Sequence, residues 1–357
     1  MKVLQVLTHL DIGGITTYVY TLSKYLLKNN IEIGIASSGG DWEEKFKDLG
    51  VNVFRINIKT KSELSFKLLI SLSQLFQIKR KFNFQILHSH TRVTQVLCQI
   101  FHQLSGIPHV ANFHGFYTQH KKRWGRKILK AQGNVSVAIT PEVKNDLINI
   151  FDAKENRVKV IVSGIDLENL KEGKPLNLKG FPKIGSSGRL SKIKGFEYLL
   201  KSIPLLIEKY PQIFLYILGE GKEEEKLVAL AKDLKIEERF KIVKKIELFS
   251  FLRSLDIFCL PSLEEPLGLS ILEAQYVGVP CVASCVGGLK ILIENLKTGI
   301  PVPPKQPQKI AAAIDFLIKN EILRKEIQEN AKKKVLEKFD FSKKVKDFIE
   351  IYEKVLR

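Results

Sequence analysis

Two carboxylates eight positions apart, Glu265 and Glu273, bracket the stretch Pro266-Leu267-Gly268-Leu269-Ser270-Ile271-Leu272 in this 357-residue chain. A short apolar run at 256–260 precedes them, so the pattern reads as strand, loop and helix over 267–277. Pro266 suits a helix start because no amide donor is needed there. Gly268 leaves backbone open to a ligand, and free amides at a helix start favour an anion. One acid then lies at the mouth of the loop and one on the helix wall; the plainer alternative is a strand-to-helix corner with two solvated acids. Upstream, Arg189 and Lys194 straddle the loop Gly188-Arg189-Leu190-Ser191-Lys192-Ile193-Lys194-Gly195. A planar guanidinium fork and a compact ammonium together suit a diphosphate.

Further chemistry-bearing residues follow apolar runs. Gly13-Gly14, between the first run and an amphipathic stretch, would open backbone amides toward a ligand. His88-Ser89-His90 and Asn112-Phe113-His114-Gly115 each follow a predicted strand, on the face that would line a cleft. Of these histidines His114 is the first candidate to serve the attacking or departing oxygen of a transfer reaction. Gly219-Glu220-Gly221 gives another loop able to approach a base or ribose. Neither G-x-G-x-x-G nor G-x-x-x-x-G-K-[ST] occurs, so no nicotinamide or P-loop site is signalled. No Asp-x-Asp occurs at any of the eleven Asp positions, so no carboxylate-held metal is expected; Arg189, Lys194 and helix amides would meet the charge of a diphosphate.

The elements that must position these residues alternate along the chain. Residues 3–7, 31–36, 51–56, 85–88, 110–113 and 135–139 read as buried strands, and 16–28, 63–82, 91–104 and 141–150 as helices. After a Gly- and Pro-rich linker at 167–182, the alternation repeats. Strands are expected at 183–186, 213–218, 241–243, 256–260, 280–283 and 298–302, and helices at 195–209, 223–234, 248–254, 267–277 and 307–319. Helices at 321–339 and 341–356 complete the tail. The fold class is therefore α/β: two doubly wound, Rossmann-like domains, 1–166 and 183–340, facing a cleft, with ligands beyond the carboxyl ends of the strands.

Composition narrows the function classes. No run of about 18 apolar residues occurs, so no membrane-spanning helix is expected. The amino-terminal residues read as a strand and not as a signal peptide. Cys98, Cys259, Cys281 and Cys285 lie in apolar surroundings with no zinc-site spacing, which points to reduced, mostly buried thiols in a cytoplasmic protein. The net charge of +19 is uneven: 14 Lys and Arg stand against the single acid Glu63 between Val53 and Val135. Such a field attracts polyanions, and the stretch 63–82 and the cluster Lys121-Lys122-Arg123-Trp124-Gly125-Arg126-Lys127 mix cations with aromatic and aliphatic side chains, as a membrane interface requires. Nucleic acid is not expected, since no helix-turn-helix, RNA-recognition or zinc pattern accompanies the charge.

The E-x7-E segment, together with Gly188-Arg189-Leu190 and Lys194-Gly195, resembles the retaining glycosyltransferases of family 4, which have the GT-B fold. Gly13-Gly14, Gly164-Ile165-Asp166, Gly278-Val279-Pro280-Cys281-Val282-Ala283, Gly287-Gly288 and Thr298-Gly299 extend the resemblance over nearly the whole chain. The order and spacing of these motifs are specific even though each alone is weak. Ser163 and Val162 depart from the family's usual Asn and Pro at the hinge, and Gln85 replaces an acid common before the His88 position.

The resemblance implies that Arg189 and Lys194 bind the donor diphosphate, Glu273 the ribose hydroxyls and Glu265 the hydroxyls of the transferred sugar. Backbone amides of Leu267, Gly268, Leu269 and Ser270, with the Ser270 hydroxyl, would meet sugar and phosphate. Gly14 would approach the phosphate or acceptor, His114 would lie near the sugar, and the last helix, 341–357, would cross back onto the first domain. The two acids are then hydroxyl acceptors and not an acid/base couple. No cofactor is expected; the donor is a nucleotide sugar, a UDP-sugar first among candidates. The expected acceptor is a glycan or glycolipid of the cell envelope, with the protein peripheral at the inner face of the membrane. A non-catalytic nucleotide-sugar or polyanion binder, and an epimerase or hydrolase of the same fold, are the competing classes.

Overall fold

The computed structural model describes residues 1–115, 130–169 and 173–357. The cluster at 121–127 lies outside them. The chain forms two compact units, residues 1–163 with 341–357, and residues 164–340.

The first unit holds β1 (Lys2–Val6), α1 (Gly14–Lys28), β2 (Glu32–Ser37), α2 (Glu43–Asp48), β3 (Asn52–Arg55) and α3 (Lys67–Phe82). It continues with β4 (Ile86–Ser89), α4 (Arg92–Ser105), β5 (His109–Phe113), β6 (Val135–Ala138), α5 (Pro141–Asn149) and β7 (Val158–Val160). The strands form one parallel sheet in the order β3-β2-β1-β4-β5-β6-β7. Parallel sheets bury both faces, and the alternation along β1 shows it: Val3 joins a core with α1, while Leu4 and Val6 join one with α3 and α4. The first of these cores is closed by the last helix of the chain, residues Val345–Leu356, through Val345, Phe348, Ile351 and Tyr352. Each such buried side chain contributes about 2 kcal/mol.

The second unit holds β8 (Lys183–Ser187), α6 (Phe196–Leu200), β9 (Phe214–Leu218), α7 (Glu224–Asp233), β10 (Phe240–Val243), α8 (Leu248–Arg253) and β11 (Ile257–Leu260). It ends with α9 (Leu269–Tyr276), β12 (Cys281–Ser284), α10 (Leu289–Leu292), β13 (Ile300–Val302), α11 (Pro307–Lys319) and α12 (Glu321–Lys338). The closing helix Val345–Leu356 of the first unit is α13. The second sheet is parallel too, in the order β10-β9-β8-β11-β12-β13. Both strand orders reverse direction beside the first strand of the unit, the switch point of doubly wound folds.

Where sequence and structure differ, the causes are local. The helix expected over 63–82 begins only at Lys67, and the residues before it form a loop whose apolar side chains Leu64 and Phe66 are 85% and 72% exposed. The helix expected over 195–209 breaks after Leu200, because Pro204 lacks the amide donor and its ring crowds the preceding turn. The helix expected from residue 267 begins at Leu269, since Gly268 is left-handed at φ 98° and Pro266 stays in the loop. Short β7, α2 and α10 carry too few residues for a periodic signal. Cys98, Cys259 and Cys281 are buried free thiols, whereas Cys285, just beyond β12, is exposed, contrary to its apolar sequence setting. Among the described residues no helix is long and apolar enough to cross a membrane.

Candidate active site

In the second unit the cationic loop and the acidic loop are clamped together by backbone. After β8 the chain turns at Gly188, whose amide donates to the Leu218 carbonyl at 3.0 Å, and Leu190 donates to the Glu220 carbonyl at 2.8 Å. Gly219 owes its lack of a side chain to this turn: a Cβ there would stand 2.0 Å from the Gly188 carbonyl oxygen. Gly219 therefore shapes the Arg189 loop from below, a role its sequence did not reveal. Arg189 itself is exposed, and its guanidinium has no partner among the described residues. Gly195, left-handed at φ 64°, packs against Pro261, where a Cβ would meet the carbonyl oxygen at 2.2 Å. Next to it the Leu263 amide donates to the Ile193 carbonyl at 2.7 Å.

This clamp sets Lys194 against the acidic loop. Lys194 Nζ donates to Glu265 Oε2 at 2.5 Å, and Ser262 Oγ donates to the same oxygen at 3.0 Å. The pair is largely enclosed, with 20% of the lysine and 9% of the glutamate side chain exposed. Glu265 Oε1 has no partner among the described residues. The two residues read in sequence as ligands for different parts of a donor are thus joined to each other.

Beyond Glu265, the side chain of Leu267 is buried, so it can meet a ligand only through its backbone. Gly268 caps α9 without a side-chain hydrogen bond, which leaves the first amides of the helix, at Leu269 and Ser270, without an intrahelical acceptor. Glu273 lies one turn further along. Its surface is half-buried, but protein atoms crowd the carboxyl from below, and this burial pushes it up to about 7 from the ordinary 4.5. No hydrogen bond or ion pair offsets that desolvation among the described residues.

The folded state holds the Glu273 proton more tightly than the unfolded chain, so stability falls as pH rises from about 4.5 to about 7 and stays reduced above. Glu273→Gln is expected to melt at a higher temperature than the parent at pH 8 and at the same temperature near pH 4. Calorimetry across that range measures it; a variant that melts lower at pH 8 would contradict the unpaired, desolvated carboxyl.

In the first unit, α1 begins at Gly14, where an added Cβ would meet nothing within 4 Å. Internal packing does not demand a glycine there, and open space lies beyond it. His88 and His90 are fully buried at the end of β4, so they do not line an open surface as the sequence suggested. His114, beyond β5, is half-buried. Its Nε2 lies 3.1 Å from Asn112 Nδ2 and 3.3 Å from His90 Nδ1, and its ring meets Tyr18 edge-on at 4.7 Å. Behind it, His90 Nε2 is 3.0 Å from Gln5 Oε1, Gln5 Nε2 donates to Ser23 Oγ at 2.8 Å, and His88 Nδ1 contacts Tyr352 Oη on α13 at 2.7 Å.

Burial drops His88 and His114 to about 3 and His90 well below the usual 6.5. A ring held neutral offers hydrogen bonds but is poorly matched to proton transfer near neutrality. His114 is therefore a hydrogen-bonding candidate more than an acid or base. Ser262, Gln5 and Tyr18 carried no signal in the sequence, since Lys194, which shares the Glu265 oxygen with Ser262, and the partners of Gln5 and Tyr18 all lie far along the chain.

Comparisons with known proteins bear on the family and the fold. The sequence profile described as Glycosyltransferase Family 4 matches residues 12–169, and that described as Glycosyl transferases group 1 matches residues 168–334. A glycosyltransferase of Methanocaldococcus jannaschii is 27% identical over 96% of this chain and 94% of its own length. A D-inositol 3-phosphate glycosyltransferase of Corynebacterium urealyticum is 26% identical over 96% of this chain and 91% of its own. Among solved structures, HepE of Anabaena in complex with UDP-glucose superposes with a TM-score of 0.86 at 18% identity, covering 99% of this chain and 100% of that one. That likeness is one of fold: two Rossmann-like domains of the GT-B type.

Proposed function

The chain belongs to the glycosyl transferases of group 1, with a first half of the family 4 type, and from that premise we propose that it moves a sugar from a nucleoside diphosphate to an acceptor hydroxyl with the anomeric configuration kept. In this reaction the bond between the anomeric carbon and the diphosphate oxygen breaks, its electron pair leaving on the phosphate. The acceptor oxygen bonds to the same face of the sugar and passes its proton to the departing phosphate oxygen. Charge growing on that phosphate would be met by Arg189, Lys194 and the amides at the start of α9, with no metal needed. Hydroxyls of the sugar would donate to Glu265 and those of the ribose to Glu273, which would favour the charged form of a carboxylate that burial pushes above its ordinary range. Gly14 would leave room for phosphate or acceptor, and the neutral His114 would hydrogen-bond the sugar.

The observation that carries this reading is Glu265, with one oxygen held by Lys194 and Ser262, while its other oxygen, the Arg189 guanidinium and the Glu273 carboxyl have no partner among the described residues. A panel of nucleotide sugars tests it, with UDP-glucose first because the Anabaena protein was crystallised with it. Slow donor hydrolysis is expected for one base and sugar class, and transfer with retention should appear by NMR of the anomeric proton once an acceptor is supplied. Absence of nucleotide binding, or an inverted product, would sink the proposal.

For the acceptor we propose a lipid-linked or lipopolysaccharide-type glycan, met at the inner face of the cell membrane. Support comes from α3 and the loop before it. Leu64, Phe66 and Leu69 point outward, the last 60% exposed, among Lys59, Lys61 and Lys67, while Arg80 and Lys81 are exposed at the far end of the helix. Exposed apolar side chains rimmed by cations fit an anionic lipid surface.

A further inference from the structure

Resting on the reading of Glu265 as acceptor for sugar hydroxyls, we propose that Ser262 is a positioning residue that fixes which oxygen of Glu265 meets the transferred sugar. Both donors on Glu265, Lys194 Nζ and Ser262 Oγ, converge on Oε2. The carboxylate plane is thereby set, and Oε1 alone is left for a ligand. The two donors differ in what they can do next. Lys194 sits on a long flexible stem in the loop that would face the diphosphate, so it must share its three protons between Glu265 and an incoming phosphate.

Ser262 has no such freedom. Its side chain is fully buried, and its backbone is pinned on either side by the packing of Gly195 on Pro261 and by the hydrogen bond from Leu263 to Ile193. A terminal carboxylate torsion is broad and turns readily unless an oxygen is held. As Lys194 leans toward the phosphates, Ser262 keeps Oε2 in place and Oε1 toward the sugar. Ser262 thus serves sugar recognition and not nucleotide recognition.

Calorimetric titration of the full chain separates these. Parent and Ser262→Ala are titrated with UDP, GDP and ADP, and with the glucose, galactose, mannose and N-acetylglucosamine conjugates of whichever nucleotide binds. Ser262→Ala is expected to weaken binding of the nucleotide sugar by about tenfold, the loss of one hydrogen bond to a charged group. Affinity for the bare nucleotide is expected to stay within about twofold, which also reports an intact fold. An equal loss for nucleotide and nucleotide sugar would make Ser262 a packing residue and overturn the proposal, as would no loss for either. A parent protein that binds none of the three nucleotides would instead refute the donor-site reading itself, before any variant is measured.

Discussion

Arg189→Ala is expected to lower kcat/KM for sugar transfer by about a thousandfold, the order found when a preorganised charge is removed from a leaving group. Its melting temperature is expected to stay within about 2 °C of the parent, since an exposed side chain with no partner among the described residues contributes little to stability. Lys194→Ala should differ in kind. It removes a charge from the donor site and also strips the enclosed Glu265 carboxylate of its cation, leaving Ser262 as sole donor. Breaking an enclosed pair from one side costs about 3 kcal/mol. Loss of transfer should therefore come with a clear drop in melting temperature. Lys194→Met combined with Glu265→Gln should recover much of that stability while remaining inactive, because the uncompensated charge is gone and the site is not restored. Steady-state kinetics beside thermal melts decide the matter. Normal turnover by Arg189→Ala would remove the guanidinium from the mechanism.

The second large effect is expected at the lipid surface. Leu64, Phe66 and Leu69 are exposed and belong to no core cluster, so replacing all three by serine should leave the fold intact. Each apolar side chain lost from a membrane interface removes on the order of 1–2 kcal/mol. The triple variant should thus bind vesicles of phosphatidylglycerol and phosphatidylethanolamine at least about a hundredfold more weakly than the parent. Replacing Lys59, Lys61, Arg80 and Lys81 by glutamine should weaken binding too, and flatten its dependence on salt. Co-sedimentation with vesicles at two ionic strengths measures both. If the parent ignores anionic vesicles, or binds neutral ones equally, the surface has another partner.

The alternation of the strands was legible because both sheets are parallel and buried on both faces, so each strand is a short, nearly unbroken apolar run. The placement of Arg189, Lys194, Glu265 and Glu273 was legible for a related reason: they sit on loops and a helix start that follow such runs. What stayed hidden depends on contacts between distant segments. Nothing in Pro261-Ser262 says that a hydroxyl will share an oxygen with a lysine 68 positions upstream. His88 and His90 looked like surface residues because a strand end does not reveal whether a helix covers it. The late start of α3 was equally invisible, as residues 63–66 carry helical periodicity but have no core to pack against.

The first unit is composed of two stretches separated by the whole of the second, since residues 341–357 return to it. Tyr352 reaches His88, and Phe348 and Phe341 fill the space beside Tyr18. During synthesis the second unit emerges complete, while the sheet made first waits for its last helix with a bare apolar face. Of the two units, the one begun first is therefore finished second. Until α13 leaves the ribosome, that face is a natural target for chaperones.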